Sequence, residues 1–118
     1  MAFDPVSNRV VVATRKPPWL VEYDAATGRV VSQTSCVGDA DDLFCDVKTR
    51  RIYVIGGEGF IDVFQRLENA HEPVRLAGVP TAFRARTGLH IPELSLLVIA
   101  VPHTTNGPAA LLLFRTNP

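Results

Sequence analysis

Arg84, Arg86 and His90, in the stretch "FRARTGLH", are separated by even numbers of residues. Successive side chains of a strand alternate between its two faces, so an extended stretch here puts all three on one face. Two guanidinium forks and an imidazole together suit a carboxylate or phosphate, because arginine bonds two oxygens of such a group at once. The competing reading is structural: these side chains pair with Asp41, Asp42 or Asp46 on a neighbouring strand. Arg84, Arg86, His90, Asp41 and Asp42 are the candidate ligand-binding residues, and a small anion is the expected ligand class.

Asp39, Asp41 and Asp42 crowd into "GDADDLF". Three carboxylates at short spacing could hold Ca²⁺, which takes oxygen ligands, but the EF-hand glycine and distal glutamate are missing. Aspartates that cap turns of a solvated loop are the commoner arrangement. His103 and His71 read as loop histidines, and Trp19, after Pro17-Pro18, as an aromatic packed between elements or anchored on a rim. Cys36 and Cys45 form no CxxC and have apolar neighbours (Val37, Phe44), so buried, unbonded thiols are expected. No GxSxG and no HExxH occurs, so neither a nucleophile elbow nor a zinc helix is suggested.

The glycine run Gly56-Gly57-Glu58-Gly59 raises the question of a nucleotide site. Such a site needs a helix directly after the loop, whose N-terminal N–H groups hold the phosphates. Here Phe60-Ile61-Asp62-Val63-Phe64-Gln65 follows, rich in β-branched and aromatic residues and without a helical stripe. The glycines therefore belong to a hairpin turn, where they supply positive φ.

The elements that position these residues repeat. "FDPVSNRVVVA" (3–13) aligns with "CDVKTRRIYVI" (45–55), an offset of 42 that carries Arg9 to Arg51, Asp4 to Asp46 and Ser7 to Thr49. "LHIPELSLLVI" (89–99) aligns beneath them, with Leu96-Leu97-Val98-Ile99 on Ile52-Tyr53-Val54-Ile55. Each unit continues into a strand ending in an aromatic: Tyr23, Phe64 and Phe114. Nine prolines and eight glycines leave few windows for a long helix. Four strands per unit at a period of about 40 to 45 residues is the signature of a β-propeller blade.

The expected fold is all-β: a single domain over 1–118, a partial β-propeller of about three four-stranded antiparallel blades near 1–38, 39–79 and 80–118. Lettered A to D from the axis outward, the strands fall near Ala2–Asp4, Arg9–Thr14, Leu20–Asp24 and Val30–Ser35. The second set is Leu43–Val47, Arg51–Ile55, Phe60–Gln65 and Val74–Ala77. The third is part of Thr81–Ile91, then Leu96–Val101 and Ala110–Arg115, reaching "TNP" without a fourth strand. Arg84, Arg86 and His90 then fall on an innermost strand, whose exposed face lines a central channel. Two copies related by a two-fold axis would close a six-bladed ring, so a homodimer joined through open blade faces is expected.

The segment from Ala26 to Phe64, with Ile52-Tyr53-Val54 as its YV-like strand, resembles the YVTN-type bacterial β-propellers. Tyr23-Asp24-Ala25-Ala26-Thr27-Gly28 matches their V-D-x-x-T-G turn, and 85–102 with "ALLLFR" resembles a last blade. The resemblance covers nearly the whole chain. It implies the propeller fold and, since propellers host many roles, no particular chemistry. A non-catalytic binding or scaffolding module is the first functional reading. The alternative is a metal-assisted lactone hydrolase or lyase with its site at the channel mouth, although no set of acidic and asparagine ligands for a central metal can be located.

Composition bounds the partners. Twelve basic and twelve acidic residues cancel, so the excess positive charge that a duplex binder needs is missing and no nucleic-acid partner is expected. No apolar run reaches the about 18 residues of a membrane helix, so no membrane partner is expected. "MAFDPVSNRV" lacks the basic start and apolar block of a signal peptide, which for the chain as it stands implies the cytoplasm; the resembled family is often exported. No cofactor is implied by any motif.

Overall fold

The computed structural model describes residues 1–116; Asn117 and Pro118, the last positions of the third repeat, lie outside the described residues. The described chain is all-β, with one short 3₁₀ turn at Pro92–Leu94. Strands β1 (Ala2–Asp4), β2 (Arg9–Ala13), β3 (Trp19–Asp24) and β4 (Val30–Ser35) form the first sheet, in chain order. Strands β5 (Ala40–Asp46), β6 (Arg51–Gly56), β7 (Phe60–Gln65) and β8 (Val74–Pro80) form the second. Strands β9 (Thr87–Ile91), β10 (Leu96–Val101) and β11 (Ala110–Arg115) form the third. Every neighbouring pair is antiparallel.

The internal repeat has a physical basis in the first turn of each sheet. Asp4 ends β1, and its carboxylate accepts the Val6 N–H at 3.0 Å and the Ser7 hydroxyl at 2.7 Å. Asp46 ends β5 and accepts the Lys48 N–H at 3.0 Å. The residue that re-enters the next strand has positive φ in all three sheets: Asn8 at 55°, Arg50 at 61° and Ser95 at 52°. In the third sheet the structural counterpart of Asp46 is Ile91, one residue beyond the His90 that the sequence alignment sets there, and the turn is built instead as the 3₁₀ turn, closed by the Ser95 N–H on the Pro92 carbonyl. The glycine run is a hairpin turn, with Gly56 paired to Phe60 and Gly59 at φ 105°.

The sheets stack face to face, with the second in the middle. Period-two alternation sorts its side chains: Ile52, Val54 and Phe64 join Val11 and Leu20 of the first sheet, while Tyr53, Ile55 and Ile61 join Leu97 and Ile99 of the third. Burying each such Leu, Ile or Phe contributes about 2 kcal/mol relative to leaving it in water. The first strands converge, β5 lying against β1 and β2 on one side and β9 on the other. Gly88 on β9 permits that approach, since a Cβ there would stand 2.4 Å from Ile55 Cδ1.

The interface of the first two sheets also encloses a charge cluster. Glu22 is wholly buried and Asp4 is 3% exposed. Arg66, which follows β7, bonds both: its Nε donates to Asp4 Oδ2 at 2.9 Å, its Nη1 to Glu22 Oε1 at 3.2 Å, and its Nη2 pairs with Glu22 Oε2. Arg9 and Ser32 also donate to Glu22 Oε1, and Arg50 donates to both Asp4 oxygens.

A candidate ligand-binding rim

The expectation that Arg84, Arg86 and His90 share one strand face is corrected by the structure. Strand β9 begins only at Thr87. Arg84 occupies a turn at φ 67°, held by its N–H on the Gly57 carbonyl and by the Ala85 N–H on the Ala82 carbonyl. The same left-handed step precedes β5, where Asp39 has φ 55°, and in both cases a buried alanine follows, Ala40 or Ala85. The chain must turn there to tuck a small side chain into the core, and the alternation of a strand does not extend through the turn.

The five candidate residues consequently separate. Arg86 Nη1 donates to Asp39 Oδ2 at 2.7 Å. Arg15, from the β2–β3 loop, stands between Asp39, at 3.7 Å, and Asp41, at 3.2 Å. Asp42 accepts the Gly88 N–H at 2.8 Å and so ties β5 to β9. His90 is enclosed between the second and third sheets, its Nε2 3.7 Å from Asp46 Oδ2. Of the pairings anticipated with Asp41, Asp42 and Asp46, only that of His90 with Asp46 occurs; Asp41 and Asp42 take other donors, and Arg86 takes Asp39.

Of the three basic candidates, Arg84 is the exposed one. Its guanidinium lies over the Phe83 ring, 5.6 Å from the centroid, and Phe83 is 65% exposed. Among the described residues no carboxylate pairs with Arg84. Across from it is the β10–β11 loop, closed by reciprocal backbone bonds between Thr104 and Gly107 at 3.0 and 3.2 Å and by the Asn106 N–H on the Thr104 hydroxyl. Between the two loops is a cleft of about 720 Å³ lined by Phe83, Arg84, His103, Thr104 and Asn106. The arrangement offers a cation, an aromatic face, an imidazole and amide and hydroxyl groups to one ligand. His103, expected as a solvated loop histidine, is exposed and lines this cleft.

The cysteines are separate and free. Burial pushes the Cys36 thiol up to about 12, helped by Asp62 and Glu58, and the Cys45 thiol up to about 11, helped by Asp4. Thiolate chemistry at either is suppressed. Among the described residues no three His, Cys, Asp or Glu side chains gather as a metal site, and Asp39 and Asp41 are engaged by arginines. Sequence reasoning missed the Asp4–Glu22–Arg66 cluster; the one visible signal was a glutamate inside the apolar strand "WLVEYD". No protein-family model, curated protein or solved structure matches the chain.

Proposed function

We propose that the chain is an arc of a YVTN-type β-propeller and serves as a non-catalytic binding module for a small anion, held in the cleft between the β8–β9 and β10–β11 loops. The observation that carries the reading is Arg84: a cation with no carboxylate partner among the described residues, lying over an exposed phenylalanine and lining one cleft with the His103 imidazole. The loops that connect β2 to β3, β4 to β5, β6 to β7, β8 to β9 and β10 to β11 all fall on this one rim, so the ring envisaged would present them together.

The two outer sheet faces support closure by a second copy. On the first sheet, Phe3, Val10, Tyr23 and Val30 pair in register across one bare face; on the third, Leu89, Val98 and Leu113 do the same. Phe3 is 53% exposed and Leu113 62%. Apolar patches of this kind mark interfaces, and two copies of three sheets make a six-bladed ring.

The test is calorimetric titration with succinate and inorganic phosphate. Saturable binding that Arg84→Ala weakens about tenfold, without lowering the melting temperature, is the expected result. Failure of wild type to bind either anion would reject the site. The hydrolase or lyase alternative predicts stoichiometric Ca²⁺ or Zn²⁺ in the purified protein, which metal analysis decides.

A further inference from the structure

The third sheet lacks a strand that the other two possess. Strand β4 covers the outer edge of β3, and β8 covers that of β7; among the described residues nothing pairs with the outer edge of β11. The hydrogen-bond parity of that edge is fixed by its neighbours. The Thr116 N–H donates to the Ser95 carbonyl at 2.9 Å, as the Arg66 N–H does to the Arg50 carbonyl in the second sheet. Antiparallel pairs alternate between bonded and non-bonded, so Phe114 and Leu112 bond β10, while Leu111, Leu113 and Arg115 direct their N–H and C=O groups to the open edge. Their counterparts on β7, Ile61 and Val63, direct theirs to Val79 and Ala77 of β8.

The edge is not protected against pairing. Charges, proline and bulges blunt natural edge strands. Strand β8 carries Arg75, a bulge and Pro80, and β4 is polar from Ser32 to Ser35. Strand β11 keeps an unbroken register with β10, has neither glycine nor proline, and carries one charge, at its end. Leu111 and Leu113 on it are exposed. Beside the edge runs a groove of about 260 Å³ between the second and third sheets, lined along its length by Leu76, Ala77, Val79 and Phe114. Arg51, which begins β6, and Arg115, which ends β11, stand at one end of it. Neither has a carboxylate partner among the described residues, and Arg51 Nε contacts Gln65 Oε1 at 3.3 Å.

We propose that the β11 edge binds an extended segment of another polypeptide, acidic at its start and apolar at alternate positions, which pairs antiparallel to β11 as the fourth strand of the third sheet. The two complete sheets give its register. Both β4 and β8 have a bulge at the same step, opposite Glu22/Tyr23 and Val63/Phe64. The incoming strand therefore places one residue opposite Phe114, one in the bulge, and the next four opposite Leu113, Leu112, Leu111 and Ala110. Its side chains opposite Phe114 and Leu112 share their face, which packs toward the second sheet, so apolar types there cover the groove. An acidic residue opposite Arg115 meets the two free cations. In this mode of recognition main-chain bonds supply affinity and alternate side chains supply specificity. The edge is separate from the sheet face that a second copy would cover and from the Arg84 cleft.

The probe is the acetylated, fluorescein-labelled peptide Glu-Val-Ser-Thr-Leu-Thr-Val, written to that register. Fluorescence anisotropy is expected to give saturable binding, which Leu76→Glu and Arg115→Glu each weaken about tenfold and Arg84→Ala leaves unchanged. Leu76 and Arg115 are exposed, so both variants should melt with wild type. A peptide with its first threonine replaced by proline loses the N–H that bonds Leu113 and does not bind. In the free protein the Leu111 and Leu113 amides exchange faster than those of Leu112 and Phe114, and the peptide slows that alternate pair by at least about tenfold. Absence of saturable binding up to about 1 mM peptide, binding unaltered in both variants, or binding without the alternate protection overturns the proposal. Protection of Leu111 and Leu113 without peptide, rising with protein concentration, would show a second copy paired along the edge and overturn it as well.

Discussion

Glu22 and Arg66 show how much a single pairing decides. Burial alone would push the Glu22 carboxyl up, but Arg66, Ser32 and Arg9 outweigh it and hold the group below its ordinary 4.5. Asp4 behaves alike: burial raises it, and bonds from Ser7, Arg50 and the Val6 N–H bring it below 3.8. Removing one partner of a buried pair leaves a charge enclosed without compensation, at a cost of about 3–5 kcal/mol. Arg66→Ala is therefore expected to lose stability of that order in urea denaturation. The same carboxylates set an acid limit. Their folded-state values lie below the unfolded ones, so their stabilisation is complete above about pH 4.5 and is lost as the pH falls through the depressed values. Melting temperature should be level from pH 7 to 5 and drop steeply below 4. A flat profile to pH 3 would show that the cluster contributes nothing. A charged residue in the apolar strand was legible in the sequence. Its partner, 44 residues further along, was not, since pairing across sheets leaves no local periodic trace.

At the level of elements, turns were the most legible feature because their chemistry is local. The glycine run, the aspartate-led turns and the edges of β4, β7, β10 and β11 follow from residues within a few positions of each turn. Gly59, at φ 105°, occupies backbone space that an L side chain rarely adopts. Gly59→Ala should cost about 1–3 kcal/mol, whereas Gly107→Ala, in open space, should change stability by less than about 0.5 kcal/mol. Equal effects in chemical denaturation would discard this account of the β6–β7 turn. The poorly legible element was the entry to β9. "FRARTGLH" alternates like a strand, yet its first half turns, because backbone bonds to Gly57 and burial of Ala85 outrank local pattern. Strand β8 likewise runs on to Pro80 rather than stopping at Ala77, since Val79 and Pro80 find partners in Ile61 and Phe60.

For the whole molecule, the decisive feature is the pair of bare outer faces. If a second copy covers them, light scattering at micromolar concentration gives about 26 kDa, twice the 12.9 kDa of one chain. Leu113→Glu, placed on the outer face of the third sheet, then converts the species to a folded monomer. A wild-type monomer at that concentration rejects the six-bladed ring. By itself the sequence determined the all-β class, the three repeats and nearly every strand, because alternation and turn chemistry act over a few residues. Tertiary structure decided which charges meet. It buried Asp4, Glu22 and Arg66 together, drew Arg86 to Asp39 and His90 toward Asp46, and left Arg84 alone at a cleft. Those outcomes depend on how sheets stack and where the chain turns between them, and residues brought together across such an interface are neighbours in space without being neighbours in any pattern.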